Sequence, residues 1–258
     1  MDRREAILRE LNIYPLWKLR EQSASGKVQK PVVGHLTEPI EPTILEAVSQ
    51  HEAVVFREPG LANSGQPKSG WSNLNWPELK QQVTGCAACK LRAGCTQTVF
   101  GVGDEKADWL FVGEGPGADE DVQGEPFVGQ AGLLLDSMLA AIKLKRGKNV
   151  YIANIVKCRP PNNRTPAAEE IAQCLPYLHR QIELIQPKLI VALGKVASNA
   201  LLGQEATLAS FRNAQHDYHG IPLIVTYHPA YLLRSPTEKA KAWQDLCFAV
   251  KVMAQRAE

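Results

Sequence analysis

The sequence has no apolar run approaching the roughly 18 residues needed to cross a bilayer. Its opening stretch MDRREAILRELNIYPLW does not read as a secretory signal, since it starts on mixed charges without an apolar stretch ahead of a small-residue cleavage site. No internal repeat is visible. Charge of one sign is missing too, since 29 Lys and Arg against 27 Asp and Glu leave a net +2. That balance excludes a uniformly basic nucleic-acid coat but allows a local basic surface offset elsewhere. With 22% charged and 45% hydrophobic residues, the 258-residue chain is not globally disordered and can bury a sizeable core. A cytoplasmic location is expected. In that compartment six cysteines point to metal binding or chance burial, not to a disulfide framework.

Composition shifts near residue 80. Residues 1–80 carry one amphipathic helix candidate, Arg3 to Leu11, then stretches broken by Pro and Gly such as KPVVGH, TEPIEPT and GLANSGQPKSG. They read as a partly helical extension with balanced charge and no specified partner. Residues 81–258 read as the main domain. Apolar bursts at 108–113, 150–156, 188–194 and 222–229 are predicted strands. Helical spacing covers 130–143, 166–185, 195–202 and 236–255, with Pro166 and two glutamates opening the second of these. Alternation of this kind predicts an α/β fold, a three-layer α/β/α arrangement around a mainly parallel four-stranded sheet. Ligands in such folds bind beyond the C-terminal strand ends.

Four strand-end segments therefore carry the candidates. The first, GEGPGADEDVQGEPFVGQAG (113–132), is too acidic for a phosphate loop and fits neither dinucleotide nor P-loop spacing. It reads as a close-approach loop whose Phe127 either joins the core or stacks on a planar ligand. The second ends on Asn154, whose amide offers a donor and an acceptor suited to a pyrimidine edge but could equally cap the strand. Lys157, Arg159 and Arg164 follow, with Lys143, Lys145, Arg146 and Lys148 nearby in sequence; this basic set meets phosphates or is simply solvated. After the third strand, Lys195 and Ser198 flank a helix start that either holds a phosphate or is an ordinary turn. The fourth ends TYHPAYLLR, where Pro229 holds the backbone of His228 extended. A histidine presented there is a catalytic candidate, although an isolated one is more often structural.

The cysteines form one close pair, Cys86 and Cys89, with Cys158 and Cys174 farther on. Neither a zinc ribbon nor the common ferredoxin spacings fit, so a four-cysteine metal site is expected, with zinc or iron–sulfur left open. Cys95 lies close enough to the first pair to compete as a ligand, and Cys247 reads as a buried thiol.

Taken together, GEGPGADED with PFVGQAG, then NIVKCRPPNNR, then HPAYLLR, resemble the marker segments of family 4 uracil-DNA glycosylases, in the right order from residue 84 to about 250. The cysteine spacing is similar to that family's four iron–sulfur ligands. The resemblance implies a uracil-DNA glycosylase-like fold and a monomer acting on uracil-containing DNA. It implies a [4Fe–4S] cluster on Cys86, Cys89, Cys158 and Cys174, tying the segment near residue 86 to the loop after the second strand. It also implies that Glu114 and Gly115 line the pocket, that Phe127 stacks on a flipped uracil, that Asn154 reads its edge and that His228 faces O2. Arg159, Arg164, Lys195, Ser198 and Arg212 would contact DNA, and Leu232 and Leu233 would wedge into the gap left by the base. Relatives with an Asp at the place of Gly115 can orient the attacking water; Glu120 is the candidate here. No histidine or insertion lies between Cys158 and Cys174, so turnover is expected rather than a covalent link to DNA. The family's Arg-Gly near 212 is Arg212-Asn213 here. Two rival readings stand beside this one: a non-catalytic uracil-DNA binder of the same fold, and a zinc-containing α/β hydrolase.

Overall fold

The computed structural model describes residues 73–256. The helix candidate at Arg3 to Leu11 lies outside the described residues.

The sheet is built from six strands: β1 (Val102–Gly103), β2 (Trp109–Gly113), β3 (Val150–Asn154), β4 (Leu189–Leu193), β5 (Gln215–Tyr218) and β6 (Ile221–Thr226), in the order β1-β3-β2-β4-β6-β5. The inner four are mutually parallel and every residue of β2, β3 and β4 is buried, as a sheet covered on both faces requires. They match the four predicted strands. The two edges are additions, both antiparallel. β1 is too short to show a period. β5, QHDY, is a half-exposed polar edge, joined to β6 by a turn in which His219 and Gly220 take φ of 50° and 86°.

Among the described residues, eight α-helices flank the sheet: α1 (Trp76–Thr84), α2 (Ala118–Gln123), α3 (Gln130–Ala141), α4 (Ala168–Ile185), α5 (Lys195–Leu202), α6 (Leu208–Phe211), α7 (Pro229–Arg234) and α8 (Lys239–Ala254). Asn75 caps α1 through a reciprocal box with Glu78. Trp76 packs its ring against Tyr151 and Phe100, and Arg180 donates to the Leu74 carbonyl at 2.8 Å. Residues 74 to 76, ahead of the composition shift, therefore pack on the same body. Two apolar clusters fill the two faces, one around Leu110, Ile155 and Leu178, the other around Phe111, Ile152 and Val191. The alternation of Leu110 and Phe111 between them is the period-two signature of a strand.

No helix among the described residues is long and apolar enough to cross a membrane.

Candidate active site

The C-terminal ends of β2, β3 and β6 open into one cavity of about 540 Å3. Glu114, Gly115, Phe127, Asn154 and His228 all line it, although they come from distant parts of the chain. Gly113 and Asn154 are paired in the sheet, so the Gly-rich loop departs directly beside the asparagine. A Cβ on Gly113 would sit 2.5 Å from both Asn154 Oδ1 and the Phe127 ring, so glycine there makes room for both side chains.

Asn154 is 2% exposed and, among the described residues, its Oδ1 has no hydrogen-bond partner. An unpaired buried acceptor costs about 1–3 kcal/mol, and pocket residues that leave one await a donor from the ligand. The Asn154 carbonyl is held from behind by Lys157, whose Nζ donates to it at 3.0 Å and to Gln181 Oε1 at 2.7 Å. Lys157 is 1% exposed, and burial pulls its pKa down to about 8. It is therefore not a phosphate contact.

Phe127 has φ 56°, a costly conformation for an aromatic residue. Three features impose it. Arg146 donates to the Pro126 carbonyl at 2.8 Å and to the Phe127 carbonyl at 2.7 Å, and is itself aligned by Asp136 at 3.0 Å. Glu120 accepts from the backbone N–H of Val128 and Gly129 at 2.9 and 3.0 Å, and from Gly117 at 3.0 Å. Gly132 lets the chain pass where any Cβ would overlap the Phe127 carbonyl. Both carboxylate oxygens of Glu120 are thus committed to the loop, and this corrects its expected role with the attacking water.

His228 closes the pocket opposite, its ring 5.5 Å from that of Phe127 at 30°. It caps α7: Nδ1 accepts from the Ala230 N–H at 3.2 Å, which leaves the proton of the neutral ring on Nε2. Burial, reinforced by Arg234, pushes its pKa down to about 4, so the ring is neutral at pH 7. Gly194, at φ 91°, allows the close approach: a Cβ there would stand 2.9 Å from that of His228. Burial raises the pKa of Glu114, opposed by a hydrogen bond with Thr165. At Gly115 a Cβ would point at Val156, 2.7 Å away, so this loop path has no room for a carboxylate there.

Cys86, Cys89, Cys158 and Cys174 line a second, small pocket with Val83, Leu91 and Tyr177. The Lys157 N–H donates to Cys174 Sγ at 3.2 Å. Burial raises the pKa of both the Cys158 and Cys174 thiols. Cys95 is not part of this lining, but its thiol lies beside that of Cys158 as well as donating to the Arg92 carbonyl at 3.7 Å. Among the described residues no three Cys, His, Asp or Glu side chains are grouped to hold a metal ion.

The model of the uracil DNA glycosylase superfamily matches residues 100–247. A type-4 uracil-DNA glycosylase of Archaeoglobus fulgidus is 43% identical over 167 residues, 62% of this chain and 83% of the relative. Those of Thermotoga maritima (44% over 165 residues, 63% and 85%) and Pyrobaculum aerophilum (41% over 182 residues, 67% and 92%) are similar. The chain belongs to the type-4 uracil-DNA glycosylases.

Around the glycosylase pocket, the residues expected at DNA divide into two groups. Arg159, bonded to Asn163 at 2.8 Å, Arg164 and Lys195 keep access to solvent. Arg164 is nonetheless partly engaged, with a two-pronged grip on Glu170 at 2.8 and 2.7 Å. Ser198, Arg212 and Leu232 are corrections. Ser198 is fully buried and its hydroxyl donates to the Gly194 carbonyl at 2.8 Å, the ordinary turn of a helix start. Arg212 forms a buried two-bond pair with Asp245, at 2.8 and 2.9 Å. Asn213 after it takes φ 60°, a left-handed conformation that Gly and Asn adopt at least cost. Leu232 is 1% exposed and belongs to the core, whereas Leu233 is 42% exposed. Sequence reasoning missed Arg146 and Lys157 as internal clamps. Their one visible signal was charge, and charge by itself suggests solvent or phosphate.

Proposed function

We infer that this chain excises uracil from DNA by hydrolysing its bond to the sugar, with Phe127, Asn154 and His228 holding the extruded base. The convergence of these three on one cavity, with the Asn154 acceptor unpaired, carries the reading. Extruding the base costs a few kcal/mol of unstacking and unpairing, least at a mismatch. The ring of Phe127 then covers one face of the uracil. Asn154 Oδ1 accepts from N3–H, a proton that cytosine lacks.

As the glycosidic bond breaks, its electron pair passes to the uracil ring and positive character develops on the sugar. The His228 Nε2–H, directed at O2, stabilises that anion, and a preorganised donor of this kind is worth about a hundredfold or more in rate. A water then adds its oxygen to C1′, and the proton it releases neutralises the departing uracil anion. With Glu120 occupied and Gly115 closed to a side chain, two carboxylates of the cavity lining remain, Glu114 and Asp119, and the role of holding this water is assigned to Glu114, which follows directly on the strand end paired with Asn154. Leu233, exposed on α7, fills the space the base leaves. Arg159, Arg164 and Lys195 meet backbone phosphates, which position the duplex without reading sequence.

The thiols of Cys86, Cys89, Cys158 and Cys174 fit a [4Fe–4S] cluster in number and chemistry, and the Lys157 N–H to Cys174 is a typical outer contact. When bound, the cluster would cross-link the segment before β1 to the loop after β3. It would thereby hold Cys158, four residues beyond Asn154, in place.

The test is release of uracil from a uracil-containing oligonucleotide, with iron measured on the same sample. Uracil release with about four irons per chain is expected. DNA bound but left intact would refute the enzymatic reading.

A further inference from the structure

The pocket mouth carries an aromatic group that none of the roles above uses. Tyr231, on α7, lines the rim and remains 38% exposed. One face of its ring is covered: Tyr227 lies 5.2 Å away and nearly parallel, at 17°. Tyr227 is in turn backed by Arg212, whose guanidinium carbon stands 4.5 Å above its ring. Arg212 is fixed by Asp245, by the Lys241 carbonyl at 2.9 Å and, through Asp245, by the Thr226 hydroxyl at 2.8 Å. The result is a column of three planar groups, guanidinium, phenol and phenol, footed on a buried ion pair and ending at the surface.

Such a column has a direction. Its foot is a buried ion pair, and its upper end offers a flat ring one helical turn before Arg234, which lines the same cavity. A surface tyrosine held rigid by stacking loses little freedom when it binds, which makes it a favourable contact for another flat group. Nucleobases meet that description whatever their identity. On the reading that the cavity takes a base flipped from DNA, we propose that the outer face of Tyr231 is a stacking platform for the base adjacent to the extruded uridine. The Arg212–Asp245 pair, expected at first to touch DNA, then acts on it indirectly by bracing this platform.

The test measures affinity of the full chain for DNA carrying a base-less tetrahydrofuran nucleotide in place of the uridine, so that catalysis does not enter. Tyr231→Phe and Tyr231→Trp should bind within about twofold of the unsubstituted chain. Tyr231→Leu and Tyr231→Ser should each bind about tenfold more weakly, the scale of losing one base–aromatic stack. A second substitution is made in the DNA: base-less spacers replace the neighbouring base on either side. On the stacking side the spacer should weaken the unsubstituted chain about tenfold and Tyr231→Ser hardly at all. Tyr231→Leu binding like Tyr231→Phe, or spacer and Tyr231→Ser losses that simply multiply on both sides, would overturn the platform. Neither result touches the assignment of the uracil pocket, which stands or falls on uracil release by the unsubstituted chain.

Discussion

His228 shows how a single hydrogen bond decides chemistry. Because Nδ1 accepts from Ala230, the neutral ring presents Nε2–H to the cavity. Protonating Nδ1 would set two N–H groups against each other and break the α7 cap. The folded pKa, about 4, lies below the ordinary 6.5. The contribution of this group is therefore complete above about pH 6.5 and is lost as pH falls through about 4. The acid limb of kcat/KM should accordingly fall near pH 4; a limb centred at 6.5 that disappears in His228→Gln would refute the assignment. His228→Ala should lower kcat about a hundredfold or more, since it removes a donor that acts on developing charge. Asn154→Ala removes the buried acceptor and should reduce uracil excision by about ten- to a hundredfold, following the usual 1–3 kcal/mol of an unmatched buried polar group. Free uracil should also inhibit Asn154→Ala less well than the unsubstituted chain, because reading the base edge belongs to binding as well as to catalysis.

Elements place these residues, and here the sequence was legible in part. The four inner strands were readable because buried parallel strands appear as short apolar runs ending in Gly or a polar residue. Asn154 and His228 were readable because each stands at or just beyond such an end, and Phe127 because it is the one aromatic in the Gly-rich segment 113–132. What holds them was hidden. Nothing in KRGKN announces that Arg146 turns inward to two carbonyls, and nothing in VKCR separates a buried Lys157 from an exposed one, since partners such as Gln181 are brought near only by the fold. Edge strand β5 escaped for a related reason: a polar, half-exposed strand lacks the apolar signal. The Arg146 grip leads to a prediction at this scale. Arg146→Met leaves the Pro126 and Phe127 carbonyls without donors, so Phe127 should relax from φ 56° and the stacking face should be lost. Uracil excision should drop at least tenfold, while thermal unfolding shifts by only a few degrees, the scale of about 1–2 kcal/mol in a body of this size. Arg146→Lys, with one donor group in place of a fork, should recover only part of the activity. A wild-type rate in Arg146→Met would show that the loop holds its shape without the clamp. Gly132→Ala should damage both stability and activity, because its methyl group collides with the Phe127 carbonyl itself.

At the scale of the molecule, the two pockets are one mechanical system. The Cys174 thiol accepts from the Lys157 N–H, the Lys157 carbonyl accepts from Val99 at 2.7 Å, and the Lys157 amine holds the Asn154 carbonyl. One residue therefore bonds the cysteine nest, the segment before β1 and the strand end that carries Asn154. A cluster on Cys86, Cys89, Cys158 and Cys174 would close a long loop between the first pair and Cys158. By analogy with a cross-link of similar span, that closure contributes about 4 kcal/mol. Iron removal should then lower the unfolding midpoint by about 8–16 °C, at the 2–4 °C per kcal/mol usual for domains of 150–250 residues. The loss should be local in origin. Amide exchange should accelerate first at residues 84–100 and 155–175, while β2 and β4, buried along their whole length, stay protected until global unfolding. Excision should fail together with the local protection, because Asn154 loses its backing before the sheet opens. Cys95→Ala should keep iron, midpoint and exchange pattern, since Cys95 neighbours Cys158 without being one of the four thiols assigned to the cluster, whereas Cys174→Ala should reproduce iron removal. An iron-free protein with unchanged exchange at both segments would mean that the Lys157 bonds suffice without the cluster.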